Sequence, residues 1–124
     1  MKIRWKQQFN IFKKKGEDEV LSKIDVTIEI EGPERFAFTN IPAIMKDVTF
    51  LENRLAEEIL GHSTIEALTI FLKNVIQKNL FGTSDKLAFL KVIQDDFFEC
   101  TIEPENKSYE NELYQSQLNR GSVR

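Results

Sequence analysis

The chain has 124 residues, 17 of them Lys or Arg and 20 Asp or Glu, for a net charge of −3, and it holds one cysteine. That length suits one domain that buries roughly two thirds of its unfolded surface, and a single thiol excludes an internal disulfide. Nucleic-acid binding needs a basic face with few acids interleaved, and here the basic stretch is answered by an acidic one.

Residues 1–30 alternate apolar and polar side chains with period 2, the pattern of half-buried strands. Ile3, Trp5, Phe9 and Ile11 fall on odd positions, and Val20, Ile24, Val26, Ile28 and Ile30 on even ones. Between them, the charged segment from Lys13 to Glu19 contains Gly16, so the two runs are expected to form one long antiparallel hairpin. The first run carries Lys2, Arg4, Lys6, Lys13, Lys14 and Lys15 without an acid. The second carries Glu17, Asp18, Glu19, Asp25, Glu29, Glu31 and Glu34 against Lys23 alone. If paired positions sum to about 31 to 33, Lys2 faces Glu29 or Glu31, and Lys6 faces Asp25 or Thr27. Each opposite-charge pair adds ~0.2–1 kcal/mol, while burial of the apolar set fixes the register.

Gly32-Pro33 ends this hairpin, and Arg35 to Thr39, with Phe36 and Phe38 on one side, reads as a short third strand. From Ile41 the apolar positions Ile44, Val48, Leu51, Leu55 and Ile59 recur at threes and fours, and Asn40 before Pro42 marks a helix start. The rival reading of 41–60 places a strand around Val48-Thr49-Phe50; helix is preferred. Ser63-Thr64-Ile65-Glu66 has the form of a capping box with Ser63 at its head. Ile65, Leu68, Leu72, Val75 and Ile76 then line one helical face up to about Leu80, with Gly82 beyond the end. Leu87 to Ile93, a turn at Gln94-Asp95-Asp96, and alternating Phe98, Cys100 and Ile102 read as a second hairpin, with a helix from Ser84 through Phe97 as the rival. Past Pro104 the sequence is polar. The pairs Tyr109/Leu113 and Tyr114/Leu118 accommodate a short helix, and fraying is the expected state.

The expected architecture is therefore α+β. A single antiparallel sheet is built from the N- and C-terminal hairpins, one or two helices pack on one face, and residues 1–103 form one domain followed by a tail over 104–124. No apolar stretch has the length of a signal peptide or a membrane span, so the expectation is a cytoplasmic protein without a membrane partner.

Candidates for chemistry are sparse. His62, the one histidine, precedes a helix cap and reads as an ordinary polar residue, and no spacing of ligands supports a metal or another cofactor. Cys100, between Glu99 and Thr101 on an expected strand, reads as a buried small hydrophobe. The adjacent acids Glu57-Glu58 and Asp95-Asp96 do not have the arrangement of a general acid and base. Neither a phosphate-binding glycine loop nor a nucleophile elbow occurs. The expectation is a non-catalytic protein.

Two resemblances bear on function. Leu60-Gly61-His62-Ser63-Thr64-Ile65-Glu66-Ala67-Leu68, preceded by acids and followed by one amphipathic helix, resembles the central motif of small bacterial proteins with an N-terminal hairpin, some of them immunity proteins encoded beside toxins. That resemblance implies a cytoplasmic binding protein, monomeric or a homodimer, that covers a cognate toxin domain. The acids Glu17, Asp18, Glu19, Glu57, Glu58, Asp95 and Asp96 would form its contact surface, and their field would steer a basic partner.

The second resemblance covers more of the chain. Asp25 to Gly32 with Phe36-Ala37-Phe38, then Ser63 to Leu68, then Leu90 to Gln94 is similar in running order to the tunnelling-fold pterin synthases. It implies hairpin, helix, helix, hairpin in a higher oligomer, with Glu66 contacting a planar heterocycle. The sequence departs from that family in having no histidine before His62 for zinc, no thiol nucleophile at the expected place, and Gln94 where the family's ligand-holding Glu would stand.

Overall fold

The computed structural model describes residues 1–33, 40–62 and 64–103. The strand expected at 35–39, the side chain of Ser63 and the tail over 104–124 lie outside them. Strands β1 (Lys2–Lys15) and β2 (Asp18–Glu31) are followed by helices α1 (Ile41–Val48), α2 (Ala56–Leu60) and α3 (Ile65–Leu80), then by strands β3 (Lys86–Gln94) and β4 (Phe98–Ile102). The four strands form one antiparallel sheet in the order β1-β2-β3-β4, so the fold is α+β as its two period-2 hairpins imply.

The first hairpin is longer than its apolar residues alone require. Lys13–Lys15 and Asp18–Glu19, expected as loop, continue the strands, leaving Gly16 and Glu17 as a two-residue turn. Gly16 has φ +68°, as the first position of a primed hairpin turn demands. Paired residue numbers sum to 33, so Lys2 faces Glu31, Arg4 faces Glu29 and Lys6 faces Thr27. Phe9, Ile11, Ile24, Val26, Ile28 and Ile30 thereby share the buried face. On the opposite, open face, Arg4 donates from Nε to Glu29 Oε1 at 3.2 Å while its guanidinium lies 5.0 Å from the centre of the Phe89 ring. Between Glu29 and Ile30 the β2–β3 register shifts, with Glu29 opposite Phe89 and Ile30 opposite Leu87. Ala88 is the bulged residue, and this keeps Leu87 and Leu90 both in the core.

The segment 41–60 is helical at both ends and interrupted in the middle. Asn40 Oδ1 accepts from the Ala43 amide at 3.0 Å, and Pro42 lies in the first turn of α1. Val48 closes that helix and Thr49–Leu51 forms a 3₁₀ turn, so the rival strand does not form. A continuous helix does not form either. Asn53 turns with φ +58°, its amide donates to the Asn10 carbonyl at 2.8 Å, and the Phe12 amide donates to the Arg54 carbonyl at 2.8 Å. Pairing with the outer edge of β1 outweighs helical continuation here, because it satisfies strand groups that would otherwise face solvent. Consequently Ile59, expected inward, is exposed, and Ala56 is the buried residue of α2. Gly61 closes α2 in the left-handed region with φ +77°.

Helix α3 starts one residue later than the expected capping box. Thr64 is its N-cap and accepts from the Ala67 amide at 3.2 Å. The expected box has Ser63 at its head, and that residue lies outside the described ones. Leu68, Leu72, Ile76 and Leu80 are buried, and the helix layer covers only one side of the sheet. Gln7 extends the link to that layer from β1, accepting from Trp5 Nε1 at 2.8 Å and donating to the Met45 carbonyl at 2.9 Å. Residues 84–97 form the second hairpin's first strand and turn rather than the rival helix. The core joins both hairpins to α1 and α3 through Phe9, Ile28, Ile44, Leu72 and Leu90.

Candidate functional site

Three acidic segments that are far apart in sequence lie toward one end of the sheet, the β3–β4 turn level with Lys23 and the β1–β2 turn farther out, beyond the Lys15–Asp18 pair. The β1–β2 turn and the β3–β4 turn both lie there because antiparallel order puts the end of β1, the start of β2, the end of β3 and the start of β4 on the same side. Helix α2 joins them through its contact with β1, where Leu55 bridges Phe12.

The acids fall into two groups. Asp95 is built into the structure: its Oδ2 accepts from the Ser22 hydroxyl at 2.8 Å, its Oδ1 accepts from the Lys23 amide at 2.9 Å, and Lys13 Nζ lies 3.7 Å away. Its own amide donates to the Lys23 carbonyl at 2.9 Å. Gln94, buried beside it, donates from Nε2 to the Ser22 oxygen at 3.0 Å. Partial burial alone would push the Asp95 carboxyl up, but the hydrogen bonds from Lys23 and Ser22 together with the Lys13 charge outweigh it, and the carboxyl is held below its ordinary value. Asp96 pairs with Lys23 Nζ at 2.8 Å. That contact is the main reason the Lys23 ammonium is raised above its ordinary value, against the opposing pull of desolvation and with help from Asp25 and Asp95. Asp95 and Asp96 both sit in the left-handed region, with φ +55° and +64°, which Asp tolerates better than most residues. Glu57 Oε1 accepts from the Lys14 amide at 3.0 Å, tying α2 to the first hairpin.

Glu17, Asp18, Glu19 and Glu58 form the second group and are exposed. Beside them the same end presents apolar surface: Leu21 is 55% exposed and Phe97, at the tip of the β3–β4 turn, 85%. The end of the sheet thus combines solvent-facing carboxylates with exposed apolar side chains, Leu21 on β2 and Phe97 on the turn that the Asp95 network holds in place.

Of the residues singled out from sequence, the seven acids are brought to this end. Glu66 is not: it stands exposed in the first turn of α3. His62 is exposed. Cys100 is half-buried rather than buried, since it lies on the sheet's edge strand, where the helix layer gives partial cover. Ser22, Gln94, Lys13 and Lys23 were missed as partners. Their one available signal was that a turn with two consecutive Asp residues needs donors nearby, and the register that supplies those donors follows from strand pairing, not from local sequence. Among the described residues no group of three or more His, Cys, Asp or Glu is placed to hold a metal ion, and no helix is long and apolar enough to cross a membrane. No family model matches the chain, and a search of curated proteins found no match.

Proposed function

We propose that this protein is a non-catalytic binding domain of the immunity type, which docks the acidic end of its sheet onto a basic toxin domain and blocks it. The observation that carries this reading is that exposed Leu21 and Phe97 lie on the same end of the sheet as the solvent-facing carboxylates of Glu17, Asp18, Glu19 and Glu58. Apolar anchors at the centre of a charged rim are how protein interfaces concentrate binding energy, and the rim's sign steers a partner of opposite charge. Asp95 and Glu57 support this surface, since their oxygens already serve Ser22, Lys23 and Lys14, while Asp96, exposed and paired with Lys23, belongs to its rim.

The test is co-expression with the product of the gene next to this one. The expected result is rescue of growth and a complex whose association slows with salt and with joint reversal of Glu17, Asp18 and Glu19 to Lys, while Phe97→Ala speeds its dissociation at least tenfold. Absence of a complex, or a complex indifferent to both changes, overturns the reading.

A second reading, a degenerate tunnelling-fold protein, draws on the element order: hairpin, helices, hairpin, with the strands in sequential order in the sheet. It would place a planar heterocycle at Glu66 in a ring-shaped oligomer. Two features oppose it. The Gln94 amide is committed to Ser22, and 53–55 occupies the outer edge of β1 at Asn10 to Phe12, where a closing ring would have to pair. Titration with a fluorescent pterin separates the two readings, because only the second expects saturable binding that Glu66→Ala removes.

A further inference from the structure

The two outer edges of the sheet are finished differently. On β1, the Phe12 amide and the Asn10 carbonyl bond to Arg54 and Asn53, and the strand carries Lys2, Arg4, Lys6, Lys13, Lys14 and Lys15, a familiar protection against strand addition. On β4, residues Phe98-Glu99-Cys100-Thr101-Ile102 contain one charge, no Pro and no bulge, and none of the described residues pairs with its outer side.

We propose that β4 is a self-association edge, which pairs antiparallel with β4 of a second copy about a two-fold axis through Cys100 and extends the four-stranded sheet to a continuous eight-stranded one. This rests on the edge itself and is independent of docking at the acidic end.

The charge pattern of the open face selects this register. Cross-strand partners define two rows that run the width of the sheet: Lys6–Thr27–Lys91–Thr101, and Gln8–Asp25–Ile93–Glu99. The first row is basic and the second acidic. Pairing about Cys100 sets Thr101 of each copy opposite Glu99 of the other, so the basic row of one molecule continues into the acidic row of its mate, twice per dimer. Glu99 then lies two strand spacings from Lys91 of the other copy, about 10 Å between backbones, and the two long side chains meet over the small Thr101. On the helix-covered face the same register sets Phe98, 60% exposed in the single chain, against Ile102, an aromatic and β-branched cross-strand pair. A shift of two residues in either direction breaks both matches, aligning rows of like charge or leaving Phe98 without an apolar partner.

The interface is at the small end of specific associations, so the expected dissociation constant is on the order of 10 μM. Sedimentation of the full chain across that range is expected to show a shift from the 14.5 kDa monomer to a dimer. At the upper end, a short cysteine-to-cysteine maleimide cross-linker is expected to trap the dimer through Cys100. Glu99→Lys and Lys91→Glu, both on the open face, are each expected to weaken association about tenfold, and combining them is expected to restore it; circular dichroism establishes that each variant is folded. A dimer that ignores these charge changes, or that the Cys100 cross-linker does not trap, overturns the proposal. So does a monomer at all concentrations, and slow hydrogen exchange of the β4 amides in that monomer would assign the edge to the chain's own residues 104–124.

Discussion

The β1–β2 turn and the β3–β4 turn point to the same end of the sheet and are both acidic, yet their carboxylates are used in opposite ways. At the first, Glu17 on the two-residue turn and Asp18 and Glu19 at the start of β2 face solvent. At the second, a three-residue turn folds Asp95 and Asp96 back onto Ser22 and Lys23 of β2. The first hairpin is long enough to hold its register through fourteen residue pairs and needs nothing from its tip. The second pairs over only five residues and depends on its turn for anchorage. Acidity alone therefore does not mark a contact surface here: charge near the short hairpin is bonded into the fold, and charge at the tip of the long one faces solvent.

The largest test of this contrast is Asp95→Ala. It removes acceptors from the Ser22 hydroxyl and the Lys23 amide, and hydrogen bonds to a charged group contribute about 1.5–3 kcal/mol net, less where, as here, the site is partly exposed and water can replace the lost partner. A loss of about 2–3 kcal/mol in urea unfolding is expected. Asp95→Asn, which keeps an acceptor and tolerates the left-handed backbone, is expected to lose about half of that. Equal stability of the alanine variant and the parent would erase the distinction between the turns.

The same network predicts a pH signature. Because Asp95 titrates below its ordinary 3.8 in the folded chain, the unfolded chain binds more protons in that range, and stability rises with pH there. Asp95's contribution is complete above the unfolded value and disappears as pH falls from about 4 through the lower folded value. Lys23 gives the mirror image. Raised above 10.5 by Asp96, it contributes fully below that pH and loses its contribution as pH rises through the folded value. The stability gap between the parent and Asp95→Asn is thus expected to be flat from pH 5 to 9 and to close in acid, as measured by thermal unfolding across pH. A gap that persists to pH 2 would mean that packing, not charge, holds the turn.

Most of the architecture is legible in the chain because period-2 alternation survives tertiary context: Ile3 to Ile11 and Val20 to Ile30 bury one face when odd positions pair with even ones, and the two-residue turn at Gly16-Glu17 selects the sum of 33. Helix α3 is legible for the same reason, at a period of 3.6. What misleads is local chemistry that has two equally good solutions. Ser63 and Thr64 are both good caps, and the helix takes the second. The 41–60 segment has helical spacing throughout, yet Asn53 to Leu55 give it up for the edge of β1, a gain visible only once β1 is known to be an outer strand. The candidate site is legible as a set of acids. Its division into acids bonded within the fold and acids facing solvent is not, because Ser22 and Asp95 are far apart in sequence and adjacent only through the β2–β3 register.

A smaller effect probes the first turn. Gly16→Ala meets no atom within 4 Å of the added methyl, so its cost is the left-handed backbone alone, about 1–2 kcal/mol. This makes it the tip's one sensitive position, and chemical unfolding should show it to cost less than Asp95→Ala.

The smallest effect is the most informative for function. Replacing Glu17, Asp18 and Glu19 together with Ala removes three charges from a turn whose strands are already held by burial of Ile11, Ile24 and Val26. Surface changes away from special features usually fall within about 0.5 kcal/mol, and a slight loss is expected here because Lys14 and Lys15 face Glu19 and Asp18 across the strands. Differential scanning calorimetry should therefore find this variant and the parent nearly superimposable, while the same substitutions slow association with a basic partner. If the triple variant instead unfolds as easily as Asp95→Ala, the tip is a structural element like its neighbour, and the carboxylates at the end of the sheet serve the fold alone.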